Sequence, residues 1–193
     1  MRSNSLAMEL AFTNPSIVPL EHFHMQYPGA HIKIEVHFGK SKFPLFIDLG
    51  FGDLIRVCKK EFLLLANSKG PLFEESLTVN CYPVEFVFAE KLETAIYRGA
   101  ENSRMKDFHD LYTLASSESL NKKDTVRAIR LVFDHRKTLL QLPLQFDSST
   151  LEALQKYWGR YHQTVLAPDR LPNRLEEMLK VISKFLGNGK EME

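Results

Sequence analysis

Between His31 and Phe38 apolar and polar residues alternate without a break. Ile32, Ile34, Val36 and Phe38 fall on one side, and His31, Lys33, Glu35 and His37 on the other. A period of two marks a half-buried β-strand. Gly39 to Lys42 forms a turn signal and Phe43 to Phe51 a second apolar run, so the pair predicts an antiparallel hairpin. Leu6 to Phe12 predicts a further strand, ended by Asn14-Pro15. From Val84 the period becomes helical. Val84, Phe88, Leu92, Ala95 and Ile96 form one stripe of a helix that runs to Arg98 and stops at Gly99. Met105 to Ala115 predicts a second helix and Lys123 to Phe133 a third. Ser149 or Thr150 can cap a fourth, through Leu151, Leu154, Trp158 and Tyr161, and a last one runs from about Asn173 to Leu186. Leu139 to Phe146 is expected to be an irregular link, and the end from Gly187 to be frayed.

Strands followed by helices predict an α+β protein. The expected organisation is a β-rich part over residues 1–80, a helical part over 81–187 and a tail over 188–193. The 193 residues, 44% hydrophobic and 25% charged with nine Gly and nine Pro, exclude collagen-like, low-complexity and wholly disordered chains. No apolar run reaches the ~18 residues that span a bilayer, so no membrane partner is expected. The first residues are too soon polar for a secretory signal. Cys58 and Cys81 stand far apart in sequence and fit no metal or redox spacing, which suggests a reducing, cytoplasmic compartment. A net charge of +1 neither demands nor excludes a nucleic-acid partner.

Three places carry candidate chemistry. Asp48 lies mid-strand, where carboxylates are disfavoured, with Gly50, Gly52 and Asp53 close behind. It is either a solvent-face aspartate or a carboxylate held on a rigid strand for a hard metal or a proton. Lys91 borders the apolar stripe of its helix, so it either snorkels or aims a point charge at phosphates; Glu90 and Glu93 beside it are expected to be solvated or paired. Asp107 and Asp110, three apart, share a face near a helix N-terminus, and Lys106 can pair with Asp110. That segment is either an acidic first turn with a local salt bridge or a functional one. In the functional case Arg104 and Lys106 meet phosphates, and the aspartates serve a metal, act as a base or orient a lysine. His22 and His24 make a poor metal pair without a third ligand. His109 and Asp110 are adjacent and point apart, and Trp158 reads as core.

Ile47-Asp-Leu-Gly-Phe-Gly-Asp53 and Tyr82-Pro-Val-Glu-Phe-Val-Phe-Ala-Glu-Lys-Leu-Glu-Thr-Ala-Ile96 together resemble the AbiEii/AbiGii toxin family of nucleotidyltransferases. Arg98-Gly99, the run Asn102 to Leu111, Arg136-Lys-Thr138 and Trp158 continue the resemblance, which extends from about Leu10 to Leu186. It implies a partial nucleotidyltransferase sheet of the DNA polymerase β type followed by a helical C-terminal region. The implied activity is that of a bacterial toxin, with a cognate antitoxin. It would transfer a nucleoside monophosphate from an NTP, with Mg²⁺, to an acceptor such as tRNA; characterised relatives favour GTP or use tRNA ends. By the same resemblance Asp48 takes the third metal-site carboxylate, and Lys91 is the motif lysine that contacts nucleotide phosphates. Asp107 or Asp110 is the later motif aspartate, and Arg104 and Lys106 contact phosphate or RNA.

The family's Gly-Gly or Gly-Ser turn and Asp-x-Asp strand, which carry two further metal carboxylates, do not occur in this sequence. Its early carboxylates are Glu9 and Glu21. The expectation is therefore a fragment, a mis-started frame or a shortened homologue with impaired transfer, because two-metal phosphoryl transfer needs several carboxylates. The alternatives are a non-catalytic nucleotide- or RNA-binding protein and a fold remnant without ligand. A sheet lacking its first strands would also expose an edge through which copies can pair as a homodimer.

Overall fold

The computed structural model describes residues 10–20, 29–52, 54, 56–63, 66–71, 76–140 and 142–187. Residues 6–9 of the first expected strand, Glu9, Glu21, His22, His24, Asp53 and the tail over 188–193 lie outside them. The architecture is α+β, and the chain divides into two units, Met1–Asp53 and Leu54–Glu193.

The first unit holds an antiparallel sheet of β1 (Leu10–Leu20), β2 (Gly29–Phe38) and β3 (Ser41–Gly50), in that order. Phe38 pairs with Ser41 across the tight turn at Gly39, which has φ of 59°. The register sets Ile32 against Ile47, Ile34 against Leu45 and Val36 against Phe43, so the alternation of β2 does build one apolar face. Asn14-Pro15 does not end the first strand, contrary to expectation. The register of β1 slips by one residue between Thr13 and Ser16, where Asn14 adopts φ of 51°. Such a bulge suits an asparagine, which tolerates the left-handed region, and a proline, which has no N–H to pair. The slip reverses the alternation, so Leu10 and Phe12 before it and Ile17 after it share the apolar face.

The second unit begins with two short antiparallel pairs. One joins β4 (Cys58–Leu63) to β7 (Ser76–Cys81), and the other β5 (Ala66–Asn67) to β6 (Gly70–Pro71). Among the described residues five α-helices follow: α1 (Val84–Arg98), α2 (Met105–Ser116), α3 (Lys122–Arg136), α4 (Ser148–His162) and α5 (Leu175–Leu186). Their apolar stripes converge on one core in which Phe88, Leu92, Phe108, Ile129, Trp158 and Ile182 are fully buried. Trp158 is core, as its spacing implies, and its indole N–H donates to the carbonyl of Pro172 at 3.0 Å.

Helix ends follow local chemistry. Asp147, not Ser149 or Thr150, caps α4: its carboxylate accepts from the Thr150 N–H at 2.8 Å and from the Ser149 hydroxyl at 2.6 Å. A charged acceptor competes better for the free N–H groups of a first turn than the hydroxyls beside it. At α5 no side chain of its own caps the first turn; Gln155 of α4 does so, accepting from the Leu175 N–H at 2.8 Å. Helix α3 ends where Lys137 turns left-handed, φ 55°, and the Thr138 N–H returns to the carbonyl of Phe133.

Candidate functional site

Helix α1 and the start of α2 bring four charged side chains together. Lys91 sits on α1, and its Nζ donates to Asp107 Oδ1 at 2.7 Å and lies 2.8 Å from Asp110 Oδ2. The two carboxylates project from one face of α2 because they are three residues apart. Asp107 stands in the first turn of that helix, where the macrodipole favours negative charge. Its other oxygen lies 3.0 Å from Arg104 Nε, so both oxygens of a side chain only 5% exposed have cationic partners. Asn102, buried just upstream, accepts from the Arg104 N–H at 3.0 Å and fixes the entry to α2. Its side-chain nitrogen has no hydrogen-bond partner among the described residues.

Lys91 is therefore turned inward and paired, not left to snorkel. Burial pulls its pKa down, but the hydrogen bonds and charges of Asp107 and Asp110 outweigh burial and hold it above the ordinary lysine value. An ammonium has three donors. Among the described residues, Lys91 gives two of them to Asp107 and Asp110. The Arg104 side chain is 57% exposed. Lys106 is exposed, and its pairing with Asp110 does not form, because Asp110 turns to Lys91 instead. His109, next in α2, shares a 2.9 Å hydrogen bond with the Tyr161 hydroxyl of α4. The tyrosine's pKa is raised, first by burial and then by the nearby charge of Asp110.

A second cluster lies on another face of α1. Glu93 is buried, accepts from Arg136 Nη1 at 2.8 Å and from the Thr138 hydroxyl at 2.5 Å, and so joins α1 to the end of α3. Glu90 accepts from the Tyr82 hydroxyl at 2.5 Å and lies 3.8 Å from Arg136. Both glutamates are paired, as expected. What the sequence reading missed is that Glu93 is core: it follows Ala89 and Leu92 along the buried stripe, and a charge at such a position calls for a buried partner. Asn102 heads the motif run in sequence, whereas Tyr161 reads only as part of an apolar helix face and is singled out by its nearness in space to His109 and Asp110.

Asp48 belongs to the first unit. It projects from β3 on the polar face of the sheet, is 70% exposed, and its Oδ1 meets His31 Nδ1 at 2.5 Å across the register. His31 in turn stacks on Phe46, with ring centroids 5.4 Å apart. Among the described residues, no group of three or more His, Cys, Asp or Glu is placed to hold a metal ion. A single exposed carboxylate already held by an imidazole does not fit the oxygen-rich shell that Mg²⁺ requires.

A protein-family model described as the nucleotidyl transferase AbiEii toxin of type IV toxin–antitoxin systems matches residues 4–181. No curated protein and no solved structure matches the chain.

Proposed function

The chain belongs to the AbiEii nucleotidyl transferase toxin family, and on that premise we propose that it binds nucleoside triphosphates through Lys91 and Arg104 while transferring nucleotides weakly or not at all. Membership implies a cognate antitoxin. Among the described residues, no helix is long and apolar enough to cross a membrane.

The observation that carries this reading is the Lys91 ammonium, held at 2.7 and 2.8 Å by two aspartates of a second helix with an exposed arginine sharing one of them. A lysine so fixed offers its remaining donor in one direction, at little entropic cost when a phosphate oxygen arrives. Arg104 adds a planar fork suited to a second phosphate oxygen. Asp107 and Asp110 act here as positioning residues, and their two negative charges offset the two cations until a ligand binds. Lys106, on the exposed side of the same turn, is available to an RNA backbone.

The family reaction would move a nucleoside monophosphate from an NTP, GTP or another, to an acceptor such as tRNA. The described donors support little of that chemistry in this chain. Asp48 does not complete a Mg²⁺ site, and no step is assigned to the metal. A non-catalytic nucleotide- or RNA-binding protein is the second reading, favoured by the lack of a metal-holding carboxylate group among the described residues.

The test incubates the chain with Mg²⁺, each labelled NTP and total bacterial RNA, beside Lys91→Met and Asp48→Ala. Nucleotide binding that Lys91→Met weakens, with label transfer near background, is expected. Transfer that Asp48→Ala abolishes would overturn the reading of weak catalysis. Binding unaffected by Lys91→Met would overturn the assignment of the phosphate site.

A further inference from the structure

Cys58 and Cys81, 23 residues apart and unremarkable by spacing, are brought directly opposite each other. Cys58 opens β4, Cys81 closes β7, and the antiparallel register pairs them. Residues so paired have Cα atoms ~4.5–5.5 Å apart and side chains on the same face of the ladder. That separation falls within the ~4.4–6.8 Å that a disulfide spans. Both thiols are free and partly exposed, and the chain has no other cysteine to compete with either.

The geometry points to a disulfide-forming dithiol, in which Cys58 and Cys81 cross-link β4 to β7 by exchange with a small-molecule disulfide of the glutathione class. One cysteine thiolate attacks a sulfur of the small disulfide, giving a mixed disulfide and releasing one small thiol. The opposite cysteine then attacks the protein-side sulfur and releases the second. The protein loses two electrons and two protons, and the small disulfide gains both as two thiols. The pairing sits at the open end of the ladder, one residue before Tyr82, so the cross-link would tie β4 to the strand that feeds α1. The register makes the second step intramolecular, so the mixed disulfide is short-lived. The two sulfurs alone do not make a zinc site, and no third ligand stands near them among the described residues.

Intact-mass measurement and peptide mapping of the full chain, treated with oxidised glutathione at several protein concentrations, decide the matter without reference to nucleotides. The mass should fall by two hydrogens, a non-reduced digest should contain Cys58 linked to Cys81, and the yield should not depend on protein concentration. Cys58→Ser and Cys81→Ser should each retain one bound glutathione. A wild-type chain that keeps two glutathiones, forms interchain dimers through these cysteines, or keeps both thiols titratable would overturn the inference.

Discussion

Lys91 and Glu93 lie two residues apart on α1 and face different partners, and each defines a prediction. Replacing Lys91 by methionine leaves Asp107 and Asp110 side by side, with Arg104 beside Asp107 as the remaining cationic partner among the described residues. The expected loss of stability is about 1–3 kcal/mol, read from the denaturant midpoint. The folded state raises the lysine's pKa, so its contribution is fully present below the unfolded value and fades as pH rises through the folded one. Wild type and Lys91→Met should therefore differ in full at pH 7–9; the difference should begin to narrow only above about pH 10.5, the ordinary lysine value, and close once pH passes the raised folded one. Glu93→Ala removes the carboxylate that holds Arg136 and Thr138 and should cost about 3 kcal/mol, more than Glu90→Ala, whose carboxylate is less buried. An unchanged midpoint in Glu93→Ala would contradict its role as the joint between α1 and α3.

At the scale of elements, the helices were legible because their stripes are long and regular, and α1, ended by Gly99, matches its reading at both ends. Errors fell where a local device overrides the period. The bulge at Asn14-Pro15 changes the phase of β1, so an alternation count sees an end where the strand continues. The β4–β7 pair escaped notice because Cys58–Leu63, with Lys59, Lys60 and Glu61 in sequence, lacks a clean alternation. At α4 the hydroxyls of Ser149 and Thr150 suggest a cap, but the stronger acceptor, Asp147, stands before them. Asp147 has its pKa lowered by the Ser149 hydroxyl and then by the Thr150 N–H, so its contribution is present above the ordinary aspartate value and lost as pH falls through the folded one. Asp147→Ala should lower the denaturant midpoint at pH 7, and the difference from wild type should shrink once pH falls below the ordinary aspartate value of about 3.9 and be lost below the lowered folded one. Within the core, Trp158→Ala should cost about 3–5 kcal/mol, because it empties the space of the largest buried side chain and orphans the Pro172 carbonyl.

For the whole molecule, family membership was legible from the motif around Lys91 and its continuation to Leu111, whereas the partners of each charge were not. Sequence spacing offers Asp110 to Lys106, and only the packing of α1 on α2 gives it to Lys91. Among the described residues of the first unit, Leu10, Phe12, Ile17, Phe43, Leu45 and Ile47 share one sheet face and are 38–67% exposed, whereas Val36 at its centre is buried. Pro15, Pro19 and Pro44 remove donors from the two edge strands, so self-association should use this face more than an edge. Light scattering should show association that grows with concentration and is reduced by Leu45→Glu. A wild-type chain that stays monomeric throughout would exclude it.

Equilibrium binding of labelled GTP to the wild-type chain and to Lys91→Met, with folding of both checked by circular dichroism, tests the Lys91 cluster most directly. Measurable binding by the wild type, weakened at least about tenfold in the variant, is the expected result. Equal affinity in the two proteins, or none in the wild type, would contradict a phosphate-binding role for Lys91.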